Sequence, residues 1–440
     1  MRIALITLGC PKNLIDAEHM LGALHDAGHD LVGDPASSDV VIVNTCSFIA
    51  SAVDESSRAV RDVLALREEG WRGRVLVAGC LPERYGRRTF QMFPGVDAVV
   101  GCLSVARILD AVEGAAAGDR PLHVGTRGRS VDGRFPRILG TPGHLAYIRI
   151  SEGCDNRCAY CVIPSIRGPL VSHPARAIIH EARELHRAGV RELIPVAQDT
   201  TAYGMDIAPS VSLAGLLAEL DDVGIPWIRL LYAHPARITD DLLETLGRGR
   251  HLARYLDVPI QHVSDAILAP MNRKTDGRAV RGLADRIRRV VPDMTLRTSV
   301  IVGFPGEGPT EFEELRRFLA AGPFDHLGVF EYSPEEGSPA FRLGEGASRE
   351  ETRERAGILL EEARERTERR HGELVGSTVE VLIDEPGPAA VGRTEGLAWE
   401  LDGVVRIDDP AGALRPGAFA TVEVTGASGF DLEAATPQVG

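Results

Sequence analysis

With 440 residues, average apolar content and no internal repeat, the chain has length for roughly two or three globular domains with buried cores. A formal charge of −14 weighs against nonspecific binding to nucleic-acid phosphates, which takes Lys and Arg, and favours a basic partner. No apolar run approaches the roughly 18 residues of a spanning helix, so no membrane partner is expected. The seven cysteines, an odd number and mostly far apart, fit a reducing cytoplasm better than a disulfide framework.

In chain order, the apolar runs RIALITL, VVIVNT, RVLVAG and VDAVVG lead to Cys10, Cys46, Cys80 and Cys102, with amphipathic stretches at 16–27 and 50–69 between them. This alternation predicts an open parallel α/β sheet domain over 1–112. Right-handed crossovers bring all the strand C-termini to one edge, where open α/β sheets bind their ligands. Cys10, Cys46 and Cys80, beside Gly9, Asn44 and Gly79, are therefore expected to converge as ligands rather than to serve as small core residues. Three thiolates suffice to hold a cubane with one open iron, so Cys102, on an outer strand, is read as a bystander.

Residues 113–143, rich in Gly and Arg, read as a linker and extended arm. Six strand-like runs follow, at 147–150, 193–196, 228–231, 255–260, 296–302 and 326–332, with helical patterns between them. They predict a partial (β/α)6 barrel over 144–347, short of the eight-stranded form. A charged helix over 348–372 then connects to a small antiparallel β-barrel over 373–428, and 429–440 read as a frayed tail.

The densest signal is SEGCDNRCAYCVIPSIRGP, which places Cys154, Cys158 and Cys161 in one CxxxCxxC loop after the first barrel strand. A buried helical stripe has the same spacing, but Gly153, Asp155, Asn156 and Pro164 favour a loop, and three thiolates in eight residues favour a cluster. With Tyr160 before the last cysteine, the motif resembles the radical S-adenosylmethionine superfamily. There an open iron chelates S-adenosylmethionine and an electron cleaves it to a 5′-deoxyadenosyl radical.

The three-part plan narrows the resemblance to the radical S-adenosylmethionine methylthiotransferases, with a C-terminal β-domain of the TRAM type. LGCPKNLIDAE, QDTTAYG, PIQHVSDAIL, RTSVIVGFPGE and GVFEYSPEEGSPA resemble the branch that acts on a ribosomal-protein aspartate. The resemblance implies two 4Fe-4S clusters, an auxiliary one on Cys10, Cys46 and Cys80 and a radical one on Cys154, Cys158 and Cys161. It further implies methylthio addition to the β-carbon of an aspartate in ribosomal small-subunit protein number twelve, with a reductant such as flavodoxin or ferredoxin and a sulfur donor. Tyr160, Gln198, Arg297, Gly303, Gly306 and Glu307 are the expected cofactor-binding residues. A capping role competes for Asp199, a structural turn for the VGFPGE residues, and Gln261 and His262 read as core polars.

The chain departs from the branch pattern at His173, at Gly308 and over 396–403, which bears on substrate contacts. The nearest rival is a tRNA-adenosine methylthiotransferase; a rival of another class is a noncatalytic iron-sulfur carrier or binding module. Over 371–440, twelve acidic residues face three arginines, a poor surface for RNA and a suitable one for a basic ribosomal protein.

Overall fold

The computed structural model describes residues 1–125, 136–344 and 346–436. Its first layer is a six-stranded parallel sheet of β1 (Arg2–Thr7), β2 (Asp30–Leu31), β3 (Val40–Thr45), β4 (Arg74–Gly79), β5 (Ala98–Gly101) and β6 (Leu122–His123), in the order β2-β1-β3-β4-β5-β6. The strands are almost continuously apolar because both faces are covered: Met20, Ile42 and Ala111 pack on one side, Val43, Val60 and Phe93 on the other. The edge strands β2 and β6 are too short to show an alternation. Consequently β6 lies within the segment read as linker, and a helix from Ile108 to Ala117 also crosses its predicted start. The remaining arm, 126–135, lies outside the described residues.

A second six-stranded parallel sheet contains β7 (Leu145–Arg149), β10 (Glu192–Val196), β11 (Trp227–Leu230), β12 (Leu252–Asp257), β13 (Thr295–Val302) and β14 (His326–Glu331), ordered β14-β13-β12-β11-β10-β7. It is the expected open half-barrel. Between β7 and β10, the two-residue strands β8 (Ser151–Glu152) and β9 (Val171–Ser172) pair antiparallel and bracket the CxxxCxxC loop.

The connector helix runs from Arg349 to Gly372, with the Ser348 hydroxyl capping its first turn. Beyond it β15 (Thr378–Glu385), β16 (Ala389–Arg393), β17 (Val405–Asp408), β18 (Phe419–Ser428) and β19 (Asp431–Ala435) close a barrel in the order β15-β16-β17-β19-β18. The expected frayed tail is corrected here. Leu432 and Ala434 are core residues, and β19 completes the barrel by pairing parallel to β17 and antiparallel to β18. Residues 437–440 lie outside the described residues.

The atypical 396–403 segment has a clear position. Ala398 and Trp399 pack into the half-barrel lumen with Tyr147, Ile194 and Tyr255, while Asp402 accepts the Tyr255 hydroxyl at 2.7 Å. A buried ion chain joins the same domains: Glu192 lies 2.6 Å from Arg229 and 2.5 Å from Arg393, and Arg393 donates to Asp384.

Two buried imidazoles give this fold an acid-side stability slope. Burial, aided by Arg137 and Arg149, holds His19 at about 3, and burial holds His262 at about 4. Unfolded, both take up a proton as the pH falls through about 6.5; folded, they stay neutral until the pH approaches those lower values. The unfolded state thus binds more protons across this window, and stability is lost on acidification. Each contributes about 1.4 kcal/mol per pH unit while it is charged only in the unfolded state. Denaturant unfolding should show lower stability in mild acid than at neutrality, with His19→Gln flattening the slope; an unchanged slope in that variant contradicts this assignment.

Candidate active site at the two cysteine clusters

Cys10 caps the first helix, α1 (Pro11–Asp26), Cys46 follows β3, and Cys80 opens α3, where α2 is Ala50–Ala65 and α3 is Cys80–Tyr85. Because β1, β3 and β4 are neighbours, these three loops meet at one sheet edge. Gly9 has φ +92°, and a Cβ there would lie 2.7 Å from Cys46 Cβ, so the Cys10 loop approaches Cys46 only without a side chain. Asparagines tie the loops together: Asn13 Nδ2 donates to Leu8 O and Thr45 O, and Asn44 Nδ2 donates to Asn13 O.

Burial pushes the Cys46 thiol up to about 11. Cys80 is different. A hydrogen bond from Cys102 and the Arg167 guanidinium together pull its thiol below the ordinary range despite burial. Ligation requires a thiolate, and of the two buried thiols Cys46 and Cys80 the latter is the more readily deprotonated. Cys102 is therefore placed directly against Cys80, with Val162 and Ile166 closing over both. Cys102 Sγ points to Ile166 O at 4.0 Å, and Cys80 Sγ to Asn13 Oδ1 at 3.2 Å. Cys102→Ala is expected to retain the full iron content after reconstitution, and loss of about one cubane would instead make Cys102 a ligand.

The second triplet is held by backbone and side-chain bonds rather than by a helix. Ala159 N donates to Met271 O at 2.9 Å, Asn272 Nδ2 donates to Arg157 O at 2.8 Å, and Arg273 Nη1 approaches Cys158 Sγ at 3.6 Å. Asn156 Nδ2 donates to Asp199 at 2.7 Å, and Arg237 donates to the same carboxylate at 2.6 Å. Asp199 thus fixes the cysteine loop, and its side chain makes no capping bond. A cavity of about 150 Å³ opens here, lined by Cys154, Asn156, Leu170, Asp199 and Met205. Tyr160 packs with Ile267, Met271, Phe304 and Tyr332. Gln198 donates to Glu152 at 2.7 Å, while its Oε1 is buried without a hydrogen-bond partner among the described residues.

One residue bridges the two triplets. Arg167, 1% exposed, follows the cysteine loop and reaches into the first domain, donating to Asn13 Oδ1 at 2.6 Å, Asp16 at 2.9 Å and Cys80 Sγ at 3.5 Å. Its other nitrogen donates to Glu152 at 3.0 Å, and Arg149 binds both Asp16 and Glu152. Burial alone would raise the Glu152 carboxyl, but Arg167 and Arg149 hold it well below the usual range. The sequence showed Arg167 only as part of a motif, because its partners lie up to 154 positions away.

Four further residues expected at the cofactor also make contacts within the protein. Arg297 pairs with Asp257 at 3.0 Å and Asp402 at 3.3 Å, placing it at the junction with the C-terminal barrel. The Glu307 carboxylate accepts from Gly303 N and from Arg355 of the connector helix, with His262 Nε2 at 3.6 Å. Gly303 and Gly306, at φ +78° and +96°, form the turn that permits this docking. These contacts hold the VGFPGE turn against the connector helix. His262 is a buried core polar, accepting Ser264 N, and Gln261 forms a bridge beside β13.

Among the described residues, no group of three or more His, Cys, Asp or Glu is arranged to hold a single metal ion. In a cubane each thiolate binds a different iron, so its ligands need not converge on one point. Buried and half-buried thiols, with a guanidinium beside Cys158 and another beside Cys80, fit such a cluster. The orphaned Gln198 Oε1 near the second loop is an acceptor suited to an ammonium or hydroxyl donor of a bound cofactor.

Three family profiles match: Uncharacterized protein family UPF0004 over 2–101, the Radical SAM superfamily over 148–319 and the TRAM domain over 375–436. The chain is 42% identical to the "Ribosomal protein uS12 methylthiotransferase RimO" of Trichlorobacter lovleyi, covering 98% of this chain and 97% of that protein. It belongs to the RimO methylthiotransferase family. A protein of the same name from Desulforudis audaxviator is 43% identical over 98% of this chain and 96% of its own length. Among solved structures, the radical S-adenosylmethionine methyltransferase TsrM from Kitasatospora setae shares the fold, with a TM-score of 0.57 at 16% identity over 77% of this chain and 74% of that one. The three-domain architecture and the transferase class accord with membership of the RimO family, whose radical domain works with S-adenosylmethionine and a 4Fe-4S cluster. No described helix is long and apolar enough to cross a membrane.

Proposed function

We propose that this chain, acting in the cytoplasm, adds a methylthio group to the β-carbon of an aspartate in ribosomal protein uS12, consuming two S-adenosylmethionine molecules per group transferred. Cys10, Cys46 and Cys80 hold an auxiliary 4Fe-4S cluster, and Cys154, Cys158 and Cys161 hold the radical cluster. When bound, these groups supply a methylatable sulfide and the reductive cleavage that yields a hydrogen-abstracting radical. The protein's part is position and dryness.

The observation that carries this reading is the Arg167 bridge, which joins one cysteine loop to Asn13, Asp16 and the Cys80 thiol around the other. A noncatalytic carrier has no use for two cysteine sites locked face to face. Arg273 donates toward Cys158, Asn156 and Asp199 shape the loop, and Gln198 and Tyr160 border the cofactor. A one-electron donor and a sulfur donor are the remaining partners.

The acidic C-terminal barrel supports a protein substrate. Asp384 and Asp402 are spent on internal partners, yet Glu380, Asp408, Glu423 and Glu433 remain exposed on its strands, against exposed Arg406 and Arg415. Such a surface attracts a basic ribosomal protein and repels RNA. With both clusters loaded and a uS12 peptide present, S-adenosylhomocysteine and 5′-deoxyadenosine should form in equal amounts with the methylthio product. Formation of 5′-deoxyadenosine with neither of the other products contradicts the reading.

A further inference from the structure

The chain is strongly acidic and holds two lysines, Lys12 and Lys274. Lys12 is buried, with its ammonium 3.9 Å over the Tyr232 ring. Lys274 is exposed, and it occupies a special place. It follows the segment whose Met271 carbonyl, Asn272 amide and Arg273 guanidinium all grip the CxxxCxxC loop, at 2.9, 2.8 and 3.6 Å. Asn272 and Lys274 both adopt positive φ, 53° and 52°, so the segment is held in a sparsely populated conformation while clamping Cys158 and presenting Lys274 outward.

Beside this clamp an open cavity of about 590 Å³ is lined by Pro235, Lys274, Thr275, Asp276, Arg278 and Arg286. Arg278 is exposed, as is Arg157, the residue between Asp155–Asn156 and Cys158 in the cysteine loop. Two acids lie nearby. Asp276 caps the next helix through Ala279 N, and Asp240 pairs with Arg286 at 2.8 Å. In this cavity the exposed Lys274 and Arg278 outnumber the one carboxylate, Asp276, that has no cation partner among the described residues, on a molecule whose net charge is −14.

We propose that this Lys274–Arg278 cavity, with Arg157 on the cysteine loop that Asn272 holds, is the docking face for an acidic one-electron carrier protein that reduces the radical cluster. The inference rests on the radical-enzyme reading. Charge complementarity selects the partner: an acidic carrier would be repelled by acidic surface and steered to this cationic face. Position gives the face its use. Arg273, adjacent in sequence to Lys274, touches the Cys158 sulfur, so a carrier seated here delivers its electron through a short covalent and hydrogen-bonded path. Weak redox encounters bury little surface, so a face of this size suffices. The step is a one-electron transfer, oxidising the carrier and reducing the cluster.

The test compares wild type with the double variant K274E/R278E, each carrying both clusters, under two reductants. With dithionite, 5′-deoxyadenosine formation should be the same in both, since neither side chain touches the cysteines. With an acidic flavodoxin as donor, the variant should lose about tenfold or more in kcat/KM for the donor, chiefly through KM, and should lose the wild type's sensitivity to added salt. Equal flavodoxin kinetics in the two proteins would overturn the docking face. Binding of an RNA oligonucleotide that the variant abolishes, with unaltered flavodoxin kinetics, would assign the cations to nucleic acid instead. Failure of wild type with dithionite would count against the radical-enzyme reading itself.

Discussion

Replacing Cys154, Cys158 and Cys161 together by Ala should remove about one cubane of iron and abolish 5′-deoxyadenosine formation altogether. Replacing Cys10, Cys46 and Cys80 should remove a similar amount of iron while leaving 5′-deoxyadenosine formation measurable and eliminating the methylthio product. The asymmetry follows from where the triplets sit. The compact loop lies at the half-barrel mouth beside the 150 Å³ cavity and Gln198, whereas the scattered triplet occupies the edge of a separate sheet. Iron assay and product chromatography on the two triple variants check both halves. Loss of 5′-deoxyadenosine in both, with the remaining cluster loaded, would contradict the division of labour.

Arg167→Met should be nearly as damaging, although it removes no ligand. The substitution leaves Asp16 and Glu152 buried near each other, 2% and 11% exposed, with Arg149 as their remaining shared cation. Breaking a buried pair by removing one partner costs about 3–5 kcal/mol, because the surviving charge stays desolvated. The loss should appear as a lower melting temperature. It should also appear as uncoupling: more 5′-deoxyadenosine per methylthio product, because the Cys80 loop is no longer fixed against the radical loop. Arg167→Lys should recover charge but not coupling, since one ammonium cannot span Glu152, Asp16 and Asn13 as the planar guanidinium does. Unchanged melting and coupling in Arg167→Met would remove this residue from the account.

What the sequence made legible and what it hid follow from the range of the interactions. Strand ends at Cys10, Cys46 and Cys80 could be located because continuous apolar runs and intervening helices are local signals, and parallel topology then fixes one edge. The two-residue β2 and β6 lack any local pattern, and β19 is a strand because β17 and β18 pair with it. The same divide runs through the site. CxxxCxxC is local and was readable. Glu307 stands in a local turn motif, whereas its partner Arg355 lies 48 positions away, and Arg297 meets Asp402 across domains. Glycines at 303 and 306 signalled a turn without revealing that the turn serves the connector helix. Charge counting over the C-terminal domain likewise could not separate Asp384 and Asp402, which are consumed internally, from the exposed acids on the barrel strands.

The central claim is that two facing cysteine sites transfer a methylthio group to a protein. Its most direct test is mass measurement of a uS12 peptide and of bulk tRNA, each incubated with the doubly loaded enzyme, S-adenosylmethionine, reductant and sulfide. The methylthio increment is expected on the peptide's aspartate and not on tRNA. An increment on tRNA alone, or on neither substrate with 5′-deoxyadenosine still forming, would contradict it.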